Sequence, residues 1–310
     1  MSWRTGFPMR CDRVALRRAP RPWDVARPIY RAVVLCLLLV LGSATASAST
    51  GAKSGYAKIG ALRIYYEVHG EGEPLLILHG GGSTIGTSFG AILPDLAKAH
   101  MVVAPEQQGH GHTADLDRPL SYRQMADDTA ALVKRLGLRK IDVLGFSNGG
   151  GVAIELAIRH PELVHRLVLG SVYYRRDAIR PELLRSFETA NDQSMPEVYR
   201  KAYLAAAPNP DDLPKLTPKL MQNLLSFEGW SDAELGSIKA PTMILQGNYD
   251  VAPLEHIAAM ARLIPGAQVV VLPGGHGTYL GEAMAAVPGS RLPAYTTGMI
   301  LEFLNGGAQR

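Results

Sequence analysis

The sequence predicts an α/β fold with a mostly parallel central sheet, helices on both faces and a helical insertion late in the chain. Short β-rich runs alternate with helical segments of about 10 to 15 residues, as in parallel strands joined by crossover helices. Several runs are apolar throughout, as expected for strands buried on both faces. The alternation stops over residues 173–238, a stretch with helical pieces, closely spaced prolines and no convincing strand.

The first 48 residues have the pattern of a secretory leader. Arg27 and Arg31 precede an unbroken apolar run over 32–41, and the Ala-Ser-Ala of residues 46–48 is the expected cleavage site. Ten helical residues rise about 15 Å, half of the roughly 30 Å of a bilayer core. We therefore expect an exported protein, periplasmic or secreted, without a membrane span in its mature form.

The net charge of +4 comes from this leader. Of 32 basic and 28 acidic residues, eight arginines and two aspartates lie in 1–48, which leaves 24 basic and 26 acidic residues in the body. This balance gives no support to nucleic-acid binding. Cys11 and Cys36 also lie in the leader, so the body has no disulfide, thiolate nucleophile or cysteine metal site.

Each element of the first half is indicated by its own signal. Gly60-Ala61 separates two strands of a hairpin, and Ser121 starts a helix with Gln124 three positions later and Gly137 after its end. The predicted strands here are 56–59, 62–68, 75–78, 101–104, 141–144 and 167–172. The predicted helices lie within 86–98, from Ser121 to about 136, and over 148–159.

After the insertion, strands 242–246 and 268–272 flank a helix near 254–264, and a last helix ends near Leu304. The chain thus divides into the leader 1–48, a first core part 49–172, the insertion 173–238 and a second core part 239–310. Ligands bind at the carboxyl ends of the strands in open α/β sheets, so we expect the insertion to be a lid there. An extra helical layer that only adds stability is the alternative.

Ser147 is the first candidate for catalysis. It lies in Gly145-Phe146-Ser147-Asn148-Gly149, between a strand and a helix. G-x-S-x-G at such a junction forces the serine into a strained turn that lifts its hydroxyl above the sheet. The helix N-terminus behind it favours negative charge.

A second motif, His79-Gly80-Gly81-Gly82, ends the strand over 75–78. The N–H groups of Gly81 and Asn148 are the expected pair of donors for an oxyanion, with Gly82 as the fallback. We interpret His79 as structural, because the catalytic base is expected late in the chain.

Asp250 and His276 follow the last two predicted strands, which gives the order serine, acid, histidine. A serine needs a base at neutral pH, and a neutral imidazole suits that task. Asp250 would orient His276. Asp177 is the alternative acid. His110 and His112 lack further ligand types nearby and are interpreted as structural, so we expect no metal or organic cofactor.

Five segments together resemble the α/β-hydrolase fold family, in particular its lidded serine esterases and lipase-like members, over residues 56–304. They are HGGG at 79–82, PEQQGHGHT at 105–113, GFSNGG at 145–150, LQGNYDVAP at 245–253 and PGGHG at 273–277. Relatives usually have an aspartate and an arginine where this chain has Glu106 and Gln108. The serine at 147 differs from the aspartate of the related haloalkane dehalogenases and epoxide hydrolases.

The expected activity is hydrolysis of a carboxylic ester or lactone through an acyl-enzyme. Apolar and aromatic residues of the insertion suggest a medium-sized apolar substrate, with a macrolide-type lactone as one candidate. Acyl transfer, perhydrolysis and C–C bond hydrolysis on the same three residues are the rival chemistries. Another class is a ligand-binding protein that kept the fold without turnover. The oligomeric state and the substrate stay open.

Overall fold

A computed structural model describes residues 52–307, and its centre is an eight-stranded sheet. The strands are β1 (Lys53–Ile59), β2 (Leu62–His69), β3 (Pro74–Leu78), β4 (Met101–Pro105), β5 (Ile141–Phe146), β6 (Val164–Gly170), β7 (Thr242–Gly247) and β8 (Gln268–Leu272). Their order across the sheet is β1-β2-β4-β3-β5-β6-β7-β8. The predicted leader, with its cleavage site, lies outside the described residues.

The sheet is antiparallel at one edge and parallel elsewhere. β1 pairs with β2 and β2 with β4 in antiparallel register, and every pair from β4 to β8 is parallel. Parallel strands place their carboxyl ends at one edge, so the loops after β3, β5, β7 and β8 meet there.

Ten α-helices occur within the described part of the chain. They are α1 (Ile85–Phe89), α2 (Leu93–Leu96), α3 (Tyr122–Arg135), α4 (Asn148–Arg159), α5 (Pro181–Glu188), α6 (Glu197–Ala206), α7 (Leu213–Ser226), α8 (Asp232–Gly236), α9 (Leu254–Leu263) and α10 (Leu292–Leu304). No helix within residues 52–307 has the length and apolar character needed to cross a bilayer.

Helices cover both faces of the sheet, as predicted. Side chains of β3 alternate between two apolar clusters, because successive residues of a strand point to opposite faces. Leu76 and Leu78 pack with α3, α4 and α9, whereas Leu75 and Ile77 pack with α1, α2 and α10. The predicted fold class, α/β with a mostly parallel sheet, is confirmed.

One predicted helix is wrong in its extent. Residues 86–98 form two short helices, α1 and α2, instead of one. Gly90 caps the end of α1, and Pro94 lies in the first turn of α2. Proline has no N–H to continue a helix and fits its first turn, so the chain breaks between the two.

Helices α5 to α8 all lie between β6 and β7, within the stretch predicted as the insertion. Their connections include 3₁₀ turns, and the only strand-like contact described there is an isolated bridge between Arg175 and Gly229. We call residues 173–238 the insertion from here on.

Candidate active site

Ser147 forms the sharp turn between β5 and α4. It has φ 54° and ψ −117°, a conformation that non-glycine residues rarely adopt. Its N–H donates to the Gly170 carbonyl at 2.8 Å. A Cβ at Gly149 would lie 2.1 Å from the Leu78 carbonyl oxygen, so this turn can approach β3 only with glycine there. The local sequence thus enforces the predicted turn.

The structure brings Ser147, His276 and Asp250 together. Oγ of Ser147 lies 2.9 Å from Nε2 of His276, and Nδ1 of that ring lies 2.7 Å from Oδ1 of Asp250. The carboxylate accepts from Nδ1–H, which leaves Nε2 as the acceptor for the serine hydroxyl proton. Both distances are those of well-formed hydrogen bonds. This series of hydrogen bonds can therefore transfer a proton from Ser147 to His276.

Asp250 accepts four hydrogen bonds. Besides His276, its oxygens receive the N–H groups of Gly247 (3.2 Å) and Val251 (2.8 Å) and the hydroxyl of Ser171 (2.6 Å). Burial would raise the pKa of Asp250, but the hydrogen bonds from His276, Ser171 and Val251 and the nearby imidazole together hold it below its ordinary value. The carboxylate is therefore charged at neutral pH.

Ser171 was not singled out from the sequence. It follows β6, is buried and has φ 53°, the only other positive φ of a non-glycine residue among the described residues. Its Oγ donates to Asp250 and lies 2.9 Å from the hydroxyl of the buried Tyr279. The partners Asp250 and Tyr279 lie 79 and 108 positions after Ser171 in the sequence, and no local pattern indicates either contact.

The two predicted oxyanion donors lie side by side. A Cβ at Gly81 would be 3.4 Å from Cβ of Asn148, and both residues line the cavity that contains Ser147. Neither N–H donates to another atom of residues 52–307. The fallback donor is occupied, because the N–H of Gly82 donates to Nε2 of His110 at 3.0 Å. Gly81 and Asn148 are thus the free pair.

His79 and His110 hold the loop after β3 in place by hydrogen bonds. Nδ1–H of His79 donates to the Gly80 carbonyl at 2.8 Å, and its Nε2 accepts from the N–H of Gln107 at 3.0 Å. His110 donates from Nδ1 to the Gln108 carbonyl at 2.9 Å. Burial, with the neighbouring His110, lowers the pKa of His79 to about 3, and burial lowers that of His110 to about 4. Both rings are neutral hydrogen-bonding parts of the loop.

The remaining candidates lie elsewhere. Asp177 is exposed in a 3₁₀ turn of the insertion, whereas His276 bonds to Asp250. His112 donates to the buried carboxylate of Glu106 at 2.8 Å. No cluster of three or more histidine, cysteine or acidic residues suited to a metal occurs within residues 52–307.

A cavity of about 330 Å³ lies above Ser147. The loops after the strands form its floor. The insertion contributes its apolar wall, with Ile179, Leu183, Phe187, Leu220, Met221 and Leu224. Of the described residues that line the cavity, none is a lysine, arginine, aspartate or glutamate. The space suits an uncharged, largely apolar molecule.

One hydrogen bond ties the insertion to the loop after His276. The hydroxyl of Tyr199, in α6, donates to Oε1 of Glu282 at 2.7 Å, and the other carboxylate oxygen accepts the N–H of Met284 at 3.0 Å. Glu282 is fully buried. Burial raises its pKa, and the hydrogen bond from Tyr199 opposes that shift. No local sequence pattern indicates this pair.

Comparisons with known proteins identify the family of this chain. A family model described as the alpha/beta hydrolase fold matches residues 73–234. Among characterised proteins, the chain is 26% identical over 240 residues to a pyrrolizixenacetamide deacetylase of Xenorhabdus hominickii, which covers 71% of this chain and 90% of that protein. It is 30% identical over 240 residues to a 2-hydroxymuconate semialdehyde hydrolase of Pseudomonas putida, covering 69% and 84%.

Among solved structures, a thermophilic esterase from Thermogutta terrifontis superposes with a TM-score of 0.62 at 25% identity. The match covers 82% of this chain and 98% of the esterase. The similar proteins thus include hydrolases of several bond types.

Proposed function

The chain belongs to the α/β-hydrolase fold family, as its motifs predicted, and from this premise we propose that it is a serine hydrolase of uncharged carboxylic esters or lactones. The observation that carries the proposal is the hydrogen-bonded chain Ser147–His276–Asp250 at the floor of an apolar cavity. Hydrolase relatives over most of the chain support the reaction class.

The proposed reaction has two halves. Oγ of Ser147 attacks the ester carbonyl while Nε2 of His276 takes its proton, and Asp250 stabilises the imidazolium. The N–H groups of Gly81 and Asn148 bind the oxyanion. His276 then protonates the leaving alcohol and activates a water that releases the acid from the serine. No step calls for a metal or an organic cofactor.

The cavity favours esters over the C–C substrates of some relatives. A muconate semialdehyde carries a carboxylate, and burying an anion is costly without a cation beside it. The cavity lining includes no lysine or arginine among the described residues. The esterase similarity at 25% identity agrees with an ester as substrate. We also propose that the insertion is the lid, because its side chains form the apolar wall.

Ser147→Ala tests the proposal directly. We expect kcat for 4-nitrophenyl esters to fall by roughly 10⁴ to 10⁶ and labelling by a fluorophosphonate to disappear, with the thermal unfolding temperature little changed. Ser186→Ala, in an exposed position of α5, is the matched control and should keep both activities. A wild-type protein that binds esters without turnover or labelling would instead favour the binding class.

A wider panel of substrates separates the rival chemistries. The rates of hydrolysis are compared for esters of increasing acyl length, for lactones and for a carboxylate-bearing substrate of C–C bond hydrolysis. The partition of products among water, alcohol and peroxide as acceptors is also measured. Preferential transfer to alcohol or peroxide would replace hydrolysis with acyl transfer or perhydrolysis.

Export remains part of the proposal, on the composition of residues 1–48. N-terminal sequencing of the protein recovered outside the cytoplasm should begin just after Ala48. A protein that is found in the cytoplasm and still carries residues 1–48 would contradict the proposed export.

A further inference from the structure

Two tyrosines meet in the cavity wall beyond Ser147. Tyr122 begins α3, Tyr173 lies shortly after β6, and both side chains line the cavity. Their hydroxyl oxygens are 3.3 Å apart. They supply polar atoms next to a wall that is otherwise built mostly from aliphatic and aromatic carbon.

The pair has one more hydrogen-bond donor than the bond between the two hydroxyls requires. Two phenols carry two O–H donors, and one hydrogen bond between them consumes one. Within residues 52–307 neither hydroxyl has another hydrogen-bond partner. Burial raises the pKa of Tyr122 and that of Tyr173, so both are neutral donors at physiological pH. One O–H is thus left for a molecule in the cavity.

The donor is held in place. The Tyr122 ring packs edge-on against Phe227, with ring centroids 5.0 Å apart. It also packs closely against Gly151, since a Cβ added to that glycine would be only 2.6 Å from a carbon of the ring. Gly151 is four residues after Ser147 on α4, a rise of about 6 Å. Ser147, Tyr122 and Tyr173 line the same cavity, so a substrate bound at Ser147 can extend to the pair.

An unsatisfied donor in such a wall disfavours a purely apolar ligand, because the hydroxyl loses water without gaining a partner. A bound oxygen acceptor removes that penalty. A charged acceptor would lack a counterion among the described lining residues. An uncharged oxygen fits both conditions.

We propose that Tyr122 and Tyr173 form a subsite that donates a hydrogen bond to an ether, ketone or hydroxyl oxygen of the substrate. The inference rests on the proposed function and narrows it: the substrate is an apolar ester or lactone with an uncharged oxygen several atoms from the scissile carbonyl. The tyrosines are specificity residues in this role.

The test compares 4-nitrophenyl octanoate with four isosteres in which one methylene from C4 to C7 is replaced by oxygen. For at least one isostere, we expect the ratio of its kcat/KM to that of octanoate to fall about tenfold from the wild type to the double variant Tyr122→Phe/Tyr173→Phe. Each single variant leaves one free O–H and should keep much of the preference. Tyr203→Phe, which removes a buried phenol outside the cavity lining, should keep all of it.

Binding of the same five esters to Ser147→Ala, with and without the two Phe substitutions, is measured by calorimetry. The same tenfold change in relative affinity is expected there, independently of turnover. If all ratios are equal in the wild-type and double-variant proteins, the subsite is wrong even though esters are hydrolysed. If no ester is hydrolysed but the binding ratios change as expected, the proposed function fails and the subsite stands.

Discussion

The floor of the cavity is held mainly by hydrogen bonds, whereas its roof is held mainly by packing of apolar side chains. The floor consists of the loops after β3, β5, β6, β7 and β8, supported by the loop after β4 through the hydrogen bond from Gly82 to His110, and the roof consists of helices α5 to α7. In the floor, Asp250 alone accepts four hydrogen bonds, and His79 and His110 use both ring nitrogens. In the roof, side chains such as Leu183 and Phe187 meet the cavity with carbon atoms only.

This difference separates reactivity from selectivity. Hydrogen bonds are directional and fix donor and acceptor atoms closely, as proton transfer between Ser147 and His276 requires. Apolar packing depends on volume and tolerates changes of shape. Changes in the floor should therefore affect every substrate, and changes in the roof should affect some substrates more than others.

After Ser147→Ala, the largest effect is expected for Gly149→Ala in the floor. The new Cβ would lie 2.1 Å from the Leu78 carbonyl and 2.6 Å from that of His79, so the start of α4 must move away from β3. We expect a loss of about 3 kcal/mol in the free energy of unfolding and a fall of more than a hundredfold in kcat for all esters. Urea unfolding and steady-state kinetics measure the two effects.

Gly298→Ala is the matched control. Gly298 lies in α10, and a Cβ added there would meet no other atom within 4 Å. Replacing a helical glycine by alanine should stabilise the protein by about 0.5 to 1 kcal/mol without changing kcat. Equal behaviour of the two variants would show that the close approach at Gly149 does not matter.

The next effect concerns acid stability of the floor. His79 and His110 have folded pKa values of about 3 and about 4, below the ordinary 6.5 that the unfolded chain takes. The unfolded state therefore binds protons first, and stability present above pH 6.5 is lost as the pH falls toward those folded values. At pH 5 the loss is about 2 kcal/mol for each ring.

Urea unfolding at pH 7.5 and pH 5 measures this loss. In His110→Gln the difference between the two pH values should shrink by about 2 kcal/mol, because a neutral acceptor replaces a titrating ring. Ser186→Ala, which changes an exposed and non-titrating side chain of α5, should keep the wild-type difference. An unchanged difference in His110→Gln would contradict the buried neutral ring.

A smaller effect is expected for Ser171→Ala. Asp250 then loses its hydroxyl donor but keeps His276 and both N–H groups. We expect kcat to fall about tenfold for short and long esters alike, with little change in KM. Tyr279→Phe removes the more remote hydroxyl and should have a weaker effect. Wild-type kcat in Ser171→Ala would show that this hydrogen bond has no role in positioning Asp250.

The smallest effect is expected in the roof. Phe187→Ala removes part of the cavity wall, so kcat/KM for an octanoate ester should fall about fivefold while that for an acetate ester stays nearly constant. Leu204→Ala, on an exposed face of α6 away from the cavity, should change neither value. A uniform loss for both esters in Phe187→Ala would remove the distinction between floor and roof.

More of the floor than of the roof could be predicted from the sequence. Ser147, Asp250 and His276 each follow a strand in a motif whose glycines report a backbone constraint, and the sheet topology brings them together. The donors Gly81 and Asn148 belong to the same local signals. Such constraints act over a few residues and are therefore visible in a single sequence.

The missed contacts are those without local cause. Ser171 with Asp250, Tyr122 with Tyr173, and Tyr199 with Glu282 join positions 51 to 83 residues apart. Nothing in the neighbouring residues indicates the partner. The helix expected over 86–98 is a different case, because its breaks at Gly90 and Pro94 are local signals, and the prediction gave more weight to the apolar residues around them.

The bond between Tyr199 and Glu282 has a consequence for protein engineering. Grafting the insertion of another hydrolase onto this sheet would remove the Tyr199 hydroxyl. The carboxylate of Glu282, six positions after His276, would then lose its side-chain hydrogen bond. Such a chimera would change its selectivity and disturb its chemistry together, unless the graft keeps a tyrosine at 199 or glutamine replaces Glu282.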